Sequence, residues 1–509
     1  MTPEPAPEFR LSSLPRGPAL VSAVLILLFT AEAAYFAFHE GTWYDEACSM
    51  TSAQGTFSNT LDHAHKMEQQ PPLYFLVLNL WLRLHRSIAF ARLLSIPATI
   101  LGVLLTLRTF LRVSRPPSPA VLPLILAVVL ASPMTVFLAT EARGYAFQFV
   151  LGALIASTMA EIIGRGSANR TDVVMILAAG VLLSYINYLA GMAAGCATIA
   201  LLVARQIRLS QAAVIAVGGI LLGSPLLLTV RDHVQSHAAA GEAWTLEGPQ
   251  IALERLTWVV LPHAVARGHW QAWIGAVVAA AVGVGLILQR RAGLRPALPR
   301  PFLLASGLTV GIFLALGFAT GAAFVVYERY YAAYLSIILV TSFTLLRAAL
   351  GWTPALALLL TLAAGGQYRI VALHGPGIRQ GDWRRIAAKL DRDPSPSLPV
   401  YIFPPPESLT LKVEIADPRR VEAFPYDYDG NSVARAPAYQ IPDQEPVRAR
   451  IARRAGTGRF WLAYTLDPIA PVEIEKPLEP VEAFIARRCV IEGDFPFKGS
   501  RLLLLRLRD

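Results

Sequence analysis

Long apolar stretches separated by short polar connections run through the chain up to about residue 374. Stretches able to cross about 30 Å of hydrocarbon fall at 17–38, 91–112, 119–139, 145–163, 171–187, 188–204, 209–231, 271–288, 301–326, 330–347 and 353–372. They predict about eleven transmembrane helices. The segment 72–86, PLYFLVLNLWLRLHR, is apolar too, but Arg83, His85 and Arg86 interrupt its end, and as a helix it rises only about 22 Å. It predicts a helix lying along the membrane surface. From about Gly375 the pattern changes: a helix-like DWRRIAAKL at 382–390 precedes the strand-like runs LPVYIF, RFWLAY and SRLLLLRLR, which are separated by turn residues. Residues 375–509 therefore predict a small α/β domain, long enough to fold on its own.

Composition agrees with a polytopic α-helical membrane protein. Of the 509 residues 54% are hydrophobic and 16% charged, with mean hydropathy +0.48, whereas soluble domains carry about 25% charge. A soluble enzyme is excluded. The formal net charge of +10 is grouped in the connections RTFLRVSRPP, GRGSANR, ARQIRLS and QRRAGLRPALPR, which makes it a mark of membrane orientation and not of a nucleic-acid surface. With 72–86 out of the membrane, all four connections fall on the cytoplasmic side together with residues 1–16. The same parity places the first loop (39–90), the 140–144 connection, the 232–270 loop, the 327–331 connection and the C-terminal domain on the outer face, flanking a membrane module over 17–374. Arg10 and Arg16 precede the first apolar run as in a signal peptide, but no small-residue cleavage site ends it. It reads as a retained helix. Cys48, Cys196 and Cys489 are too few and too scattered for a disulfide framework or a zinc site.

Candidate chemistry concentrates between Thr42 and Tyr74. Asp45 and Glu46 follow the first apolar run by about seven residues, a depth at which a carboxylate escapes the hydrocarbon and still addresses a lipid headgroup. His65 and Glu68 have i, i+3 spacing that on one helical turn could hold a divalent metal ion or steer protons, and equally suits a solvated helix face. Tyr74, just past Pro71-Pro72, reads either as a pocket residue or as part of an interfacial aromatic belt. Glu141 and Arg143 share the short turn TEARGY, where charge at membrane depth implies an ion pair, a helix cap or a site. Arg329, in VYERYY, has the fork geometry to hold phosphate oxygens, and Arg143 is a second candidate for that task. The loop 232–269, with four histidines and Trp244, Trp258 and nearby Trp270, suggests an amphipathic lid, and Asp382, Trp383 and Arg384 open the C-terminal domain. There is no glycine-rich phosphate loop, HExxH or G-x-S-x-G.

The motifs WYDEA, EQQPPLYFLVLNLWLRL, FARLLS, TEARGY, YERYYAAYL and DWRRIA, spread over about residues 15–390, together resemble the bacterial branch of the GT-C glycosyltransferases, the protein-mannosyltransferase-like and aminoarabinose-transferase-like enzymes. The resemblance implies a sugar taken from a polyprenyl-phosphate donor at the outer face of the cytoplasmic membrane, without a nucleotide sugar, and passed to a lipid, glycan or protein acceptor. It also implies that Asp45 is the catalytic carboxylate of the first outer loop, with Glu46 beside it. Relatives commonly carry a second acidic residue two positions before the Pro-Pro pair; here that position is Gln69 and the carboxylate is Glu68. A lipid or glycan flippase would share the span count, but the inverted repeats expected of one are not found.

Overall fold

The computed structural model describes residues 15–66, 68–114, 117–227, 229–231, 282–285, 287, 291, 300–320, 328–373, 382–393, 395, 397–403, 407–424, 444–465, 479–497 and 500–508. The expected lid over 232–269, most of the expected span 271–288, and Tyr327 lie outside these residues.

Helices follow the apolar runs. Among the described residues four stretches are long and apolar enough to cross a membrane: Arg16–His39 (α1), Ile88–Ser114, Tyr145–Arg165 and Arg329–Leu350. α1 buries Phe29, Ala33, Phe36 and Ala37 and leaves Leu20, Leu27 and Leu28 exposed, as suits a helix solvated by lipid tails. After α1 come α2 (Tyr44–Ser52), α3 (Phe57–Lys66), α4 (Leu73–Leu82), α5 (Ile88–Leu93) and α6 (Ser95–Ser114). The ten residues of α4 match the short element expected over 72–86. Its buried Asn79 donates through Nδ2 to the carbonyls of Ala53 at 2.7 Å and Gly55 at 3.1 Å and to Thr60 Oγ at 3.2 Å, which ties the first loop to α4.

The run 119–139 is not the single straight helix that its hydropathy predicts. α7 (Val121–Leu130) and α8 (Pro133–Thr140) meet at 61°. Pro133 lacks an N–H and forces Ser132 into extended backbone, with φ −66° and ψ 128°. If the pair counts as one broken span, the described residues hold five crossings. The next runs fold as α9 (Tyr145–Arg165), α10 (Arg170–Ile186), α11 (Met192–Val203) and α12 (Leu209–Gly223), and further on as α13 (Arg300–Thr320), a 3-10 helix over Glu328–Tyr334, α14 (Leu335–Leu350) and α15 (Trp352–Leu373). α9 is the packing hub, lying along α6 on one side and the 3-10 helix on the other. Close approach demands glycine there. A Cβ at Gly152 would stand 1.7 Å from the carbonyl oxygen of Ala333, so α9 and the segment that carries Arg329 meet backbone to backbone.

The C-terminal domain begins with α16 (Trp383–Asp391), as the pattern predicts, and continues through β1 (Val400–Phe403), α17 (Glu407–Glu414), β2 (Val421–Ala423), α18 (Gln444–Ala455), β3 (Arg459–Thr465), α19 (Glu479–Arg488), β4 (Cys489–Phe497) and β5 (Ser500–Leu507). The sheet order is β2-β1-β3-β5-β4, with β1 parallel to both neighbours and β5 antiparallel to β3 and β4. Alternate residues of β1 enter opposite cores: Val400 and Ile402 join Trp383, Ile386 and Leu390, while Tyr401 and Phe403 join Phe460, Tyr464 and Phe484. Two-sided burial makes this a central strand and explains its unbroken apolar run. The domain touches the membrane part through α17, which packs on α2, with Glu414 Oε1 accepting from the backbone N–H of Thr42 at 3.0 Å and from its hydroxyl. Arg384 adds a hydrogen bond to the carbonyl of Phe38.

Candidate active site

Trp43 is extended, with φ −112° and ψ 167°, and α2 starts at the next residue, so Asp45 and Glu46 both fall in its first turn. Their charge complements the N-terminal end of the helix dipole. Successive side chains on a helix diverge, and these two have opposite fates. Glu46 is fully buried and forms a two-pronged pair with Arg92, whose Nε donates to Oε1 at 2.9 Å and whose Nη2 donates to Oε2 at 2.6 Å. Arg92 also donates to the carbonyls of Ala37 at 3.2 Å, Glu40 at 2.8 Å and Gly41 at 2.9 Å. The N–H of Ala142 donates to Glu46 Oε1 at 2.9 Å. One buried ion pair thus clasps the end of α1, the start of α2, α5 and the 141–144 turn.

Asp45 faces the other way. Its Oδ2 accepts from Arg329 Nη1 at 3.2 Å, and the two side chains keep 25% and 24% of their surface exposed. This is the open edge of an otherwise buried charged cluster. Arg329 is steadied by the rings of Trp43 and Tyr330, each with its centroid 5.5 Å from the guanidinium carbon. The Trp43 indole donates to Glu141 Oε2 at 2.5 Å, and the backbone oxygen of Glu141 accepts from Ser95 Oγ at 2.6 Å. Glu141 therefore braces the aromatic floor under Arg329.

Arg143 lies behind this edge. Its Nη1 donates to the carbonyl of Asp45 at 3.1 Å, to Ser49 Oγ at 2.8 Å and to Glu68 Oε2 at 2.9 Å, with 6% of the Arg143 side chain and 5% of the Glu68 side chain exposed. Burial pushes the Glu68 carboxyl above its ordinary range, opposed by the neighbouring Arg143 charge. Asp45 is thus gripped at its backbone by one guanidinium and at its carboxylate by another.

His65 and Glu68 do not share a helical turn. α3 ends at Lys66, Gln69 takes a left-handed φ of 51°, and the carboxylate of Glu68 turns to Arg143. Among the described residues no three His, Cys, Asp or Glu side chains converge as a metal site would require. Tyr74 is 3% exposed and packs with Phe75 and Leu78, its Cβ 3.3 Å from where a Cβ on Gly144 would stand. It belongs to the interior beneath the 141–144 turn, not to an interfacial belt. Sequence reasoning assigned no role to Arg92, Trp43, Ser49 or Glu414. For Arg92 the signal was present: an arginine inside an apolar run has to be paired or functional.

Comparisons with known proteins bear on the fold. No family model matches the chain, and the search of curated proteins found no match. Among solved structures, ArnT from Cupriavidus metallidurans in the apo state aligns over 95% of this chain and 98% of its own, with a TM-score of 0.53 at 14% identity. The chain has a GT-C class fold. Two other alignments are looser: the undecaprenyl phosphate-bound ArnT structure (14% identity, 96% of this chain and 97% of that one, TM-score 0.42), and the Archaeoglobus fulgidus oligosaccharyltransferase crystallised with Zn and sulfate (11% identity, 87% and 68%, TM-score 0.43). In this GT-C fold the charged cluster gathers the end of α1, the start of α2, the turn between α8 and α9, and the 3-10 helix that precedes α14. Three segments far apart in sequence, the start of α2, the turn between α8 and α9 and the 3-10 helix, meet at Asp45.

Proposed function

We propose that the protein is a membrane glycosyltransferase that moves a sugar from a polyprenyl-phosphate donor to a hydroxyl of a lipid, glycan or protein acceptor at the outer face of the cytoplasmic membrane. The observation that carries the reading is the Asp45–Arg329 pair: a carboxylate and a guanidinium 3.2 Å apart, each about a quarter exposed, at the rim of a cluster whose other ion pairs are buried. Transfer needs both groups. The acceptor oxygen attacks the anomeric carbon and gives its proton to the Asp45 carboxylate; the bond from that carbon to the phosphate oxygen breaks, and the electron pair leaves with the phosphate. The departing phosphate gains negative charge, and a fixed guanidinium at the rim stabilises it.

Each remaining residue has a supporting task. Glu46, locked by Arg92, holds the first turn of α2 in place, so its role is positioning. Arg143 and Glu68 fix the backbone of Asp45, while Glu141 and Trp43 fix Arg329 from below. Asp45 and Arg329 pair with each other across the rim. A phosphate that shares the Arg329 guanidinium in place loosens its hold on the Asp45 carboxylate, which can then accept a proton, so activation of the acceptor is coupled to arrival of the donor.

The test uses Arg329. Arg329→Lys keeps the charge and loses the fork, so transfer is expected to fall appreciably, and Arg329→Ala is expected to lower it further, with donor affinity weakened in both. The variants and the wild type are assayed with and without a strong chelator. Full activity in Arg329→Ala, with a chelator-sensitive wild type rescued by a divalent cation, would assign the leaving group to a metal instead.

A further inference from the structure

Away from Asp45, α16 crosses the antiparallel end of the C-terminal sheet and leaves a groove of about 660 Å³, a size common among small-molecule sites. It is lined by the half-buried rings of Phe495 and Phe497 and by the buried Trp461, together with the exposed cations Arg385, Lys389 and Arg392 at its rim. The one carboxylate in the lining, Asp393, accepts from the Trp461 indole at 2.7 Å. Lys389 Nζ sits 4.3 Å from the centroid of Phe495. Arg385 reaches Asp382 at 3.4 Å with 78% of its side chain exposed, a pairing of small worth in water. Among the described residues no carboxylate pairs with Lys389 or Arg392. The rim therefore carries surplus positive charge directly above flat apolar rings.

A ligand that satisfies both features needs an anionic group for the rim and a flat C–H face for the rings. A pyranose bearing a phosphate or a carboxylate has both; a neutral sugar leaves the cations unmet, and a bare anion leaves the rings uncovered. The groove is also joined to the reaction site. α16 packs on α17, α17 packs on α2, and Glu414 at the end of α17 holds Thr42, three residues before Asp45. We propose that the groove is a subsite for an anionic saccharide, the acceptor glycan of the transfer. Its assignment to the acceptor rests on the transferase reading, whereas the binding itself does not.

Saturation-transfer NMR on the full-length protein in a sugar-free detergent, without donor, tests this. The probes are glucose 6-phosphate and glucuronate, with glucose and glycerol 3-phosphate as comparators. Ring protons of both anionic sugars are expected to receive saturation, and glucose far less. Lys389→Met combined with Arg392→Gln changes only exposed side chains and is expected to weaken binding about tenfold through lost charge-assisted contacts. Phe495→Leu is expected to weaken it without touching the charge. Equal saturation of glucose, undiminished binding in the double variant, or displacement by glycerol 3-phosphate at the same concentration as glucose 6-phosphate would overturn the proposal, the last by making the groove a lipid-headgroup site. Because no turnover is read, an active protein that fails to bind sinks the groove alone. An inactive protein that binds sinks the transferase reading, and the acceptor assignment with it, and leaves the anionic-saccharide site standing.

Discussion

Asp45→Asn is expected to lower turnover by about 100-fold or more, the scale on which a positioned general base acts, while leaving expression intact. The substitution keeps the size of the side chain and an oxygen for Arg329, so the 3.2 Å contact can persist as a hydrogen bond from the guanidinium to an uncharged oxygen. It removes the negative charge and with it the ability to take the acceptor proton. Donor affinity is expected to hold or to rise, since Arg329 no longer faces a competing carboxylate. That combination separates a chemical role from a structural one: a residue that merely anchored Arg329 would weaken donor binding when neutralised. Turnover and donor affinity measured on one preparation decide between the two.

Arg92→Met is expected to produce the largest loss of stability, roughly 3–5 kcal/mol, because it leaves the Glu46 carboxylate buried without its partner. Both side chains of this pair are fully buried, and three backbone carbonyls lose their donor as well. The double variant Glu46→Gln with Arg92→Met removes both charges and keeps an oxygen for the Ala142 N–H, so it is expected to recover a large part of the loss. Thermal unfolding midpoints of the two single variants and the double variant in one detergent form the cycle that measures it. Simple additivity would show that the pair is not coupled as its geometry implies.

Much of this was legible in the chain, for physical reasons that can be named. Hydrophobic runs need no tertiary information to be read, and the boundary placed between residues 187 and 188 falls in the turn where α10 gives way to α11. The first-turn carboxylates, the TEARGY turn and Arg329 stood out because charge near hydrocarbon is costly, and the fold brings them together. The break at Pro133 was missed, because hydropathy alone joined 119–139 into one span, although a proline inside an apolar run removes a helical hydrogen bond. β4 was missed too. CVIEGDFPF carries glycine, proline and two acids, and it pairs only because β5 offers an edge, with a register shift between Ile491 and Gly493. The separate fates of Asp45 and Glu46 could not be seen either, because they depend on Arg92 and Arg329, which lie 46 and 284 residues away. Spacing misled at His65 and Glu68. An i, i+3 pair shares a face only while the helix lasts, and α3 ends between them.

Release of polyprenyl phosphate from a polyprenyl-phosphate-linked sugar tests the central claim most directly. Purified wild type and Asp45→Asn are given the same donor in lipid nanodiscs, with a cell-envelope extract as the source of acceptor. The account predicts extract-dependent release by the wild type and release lower by about 100-fold or more in the variant. No release by the wild type with any donor sugar, or equal release by the two proteins, would contradict it.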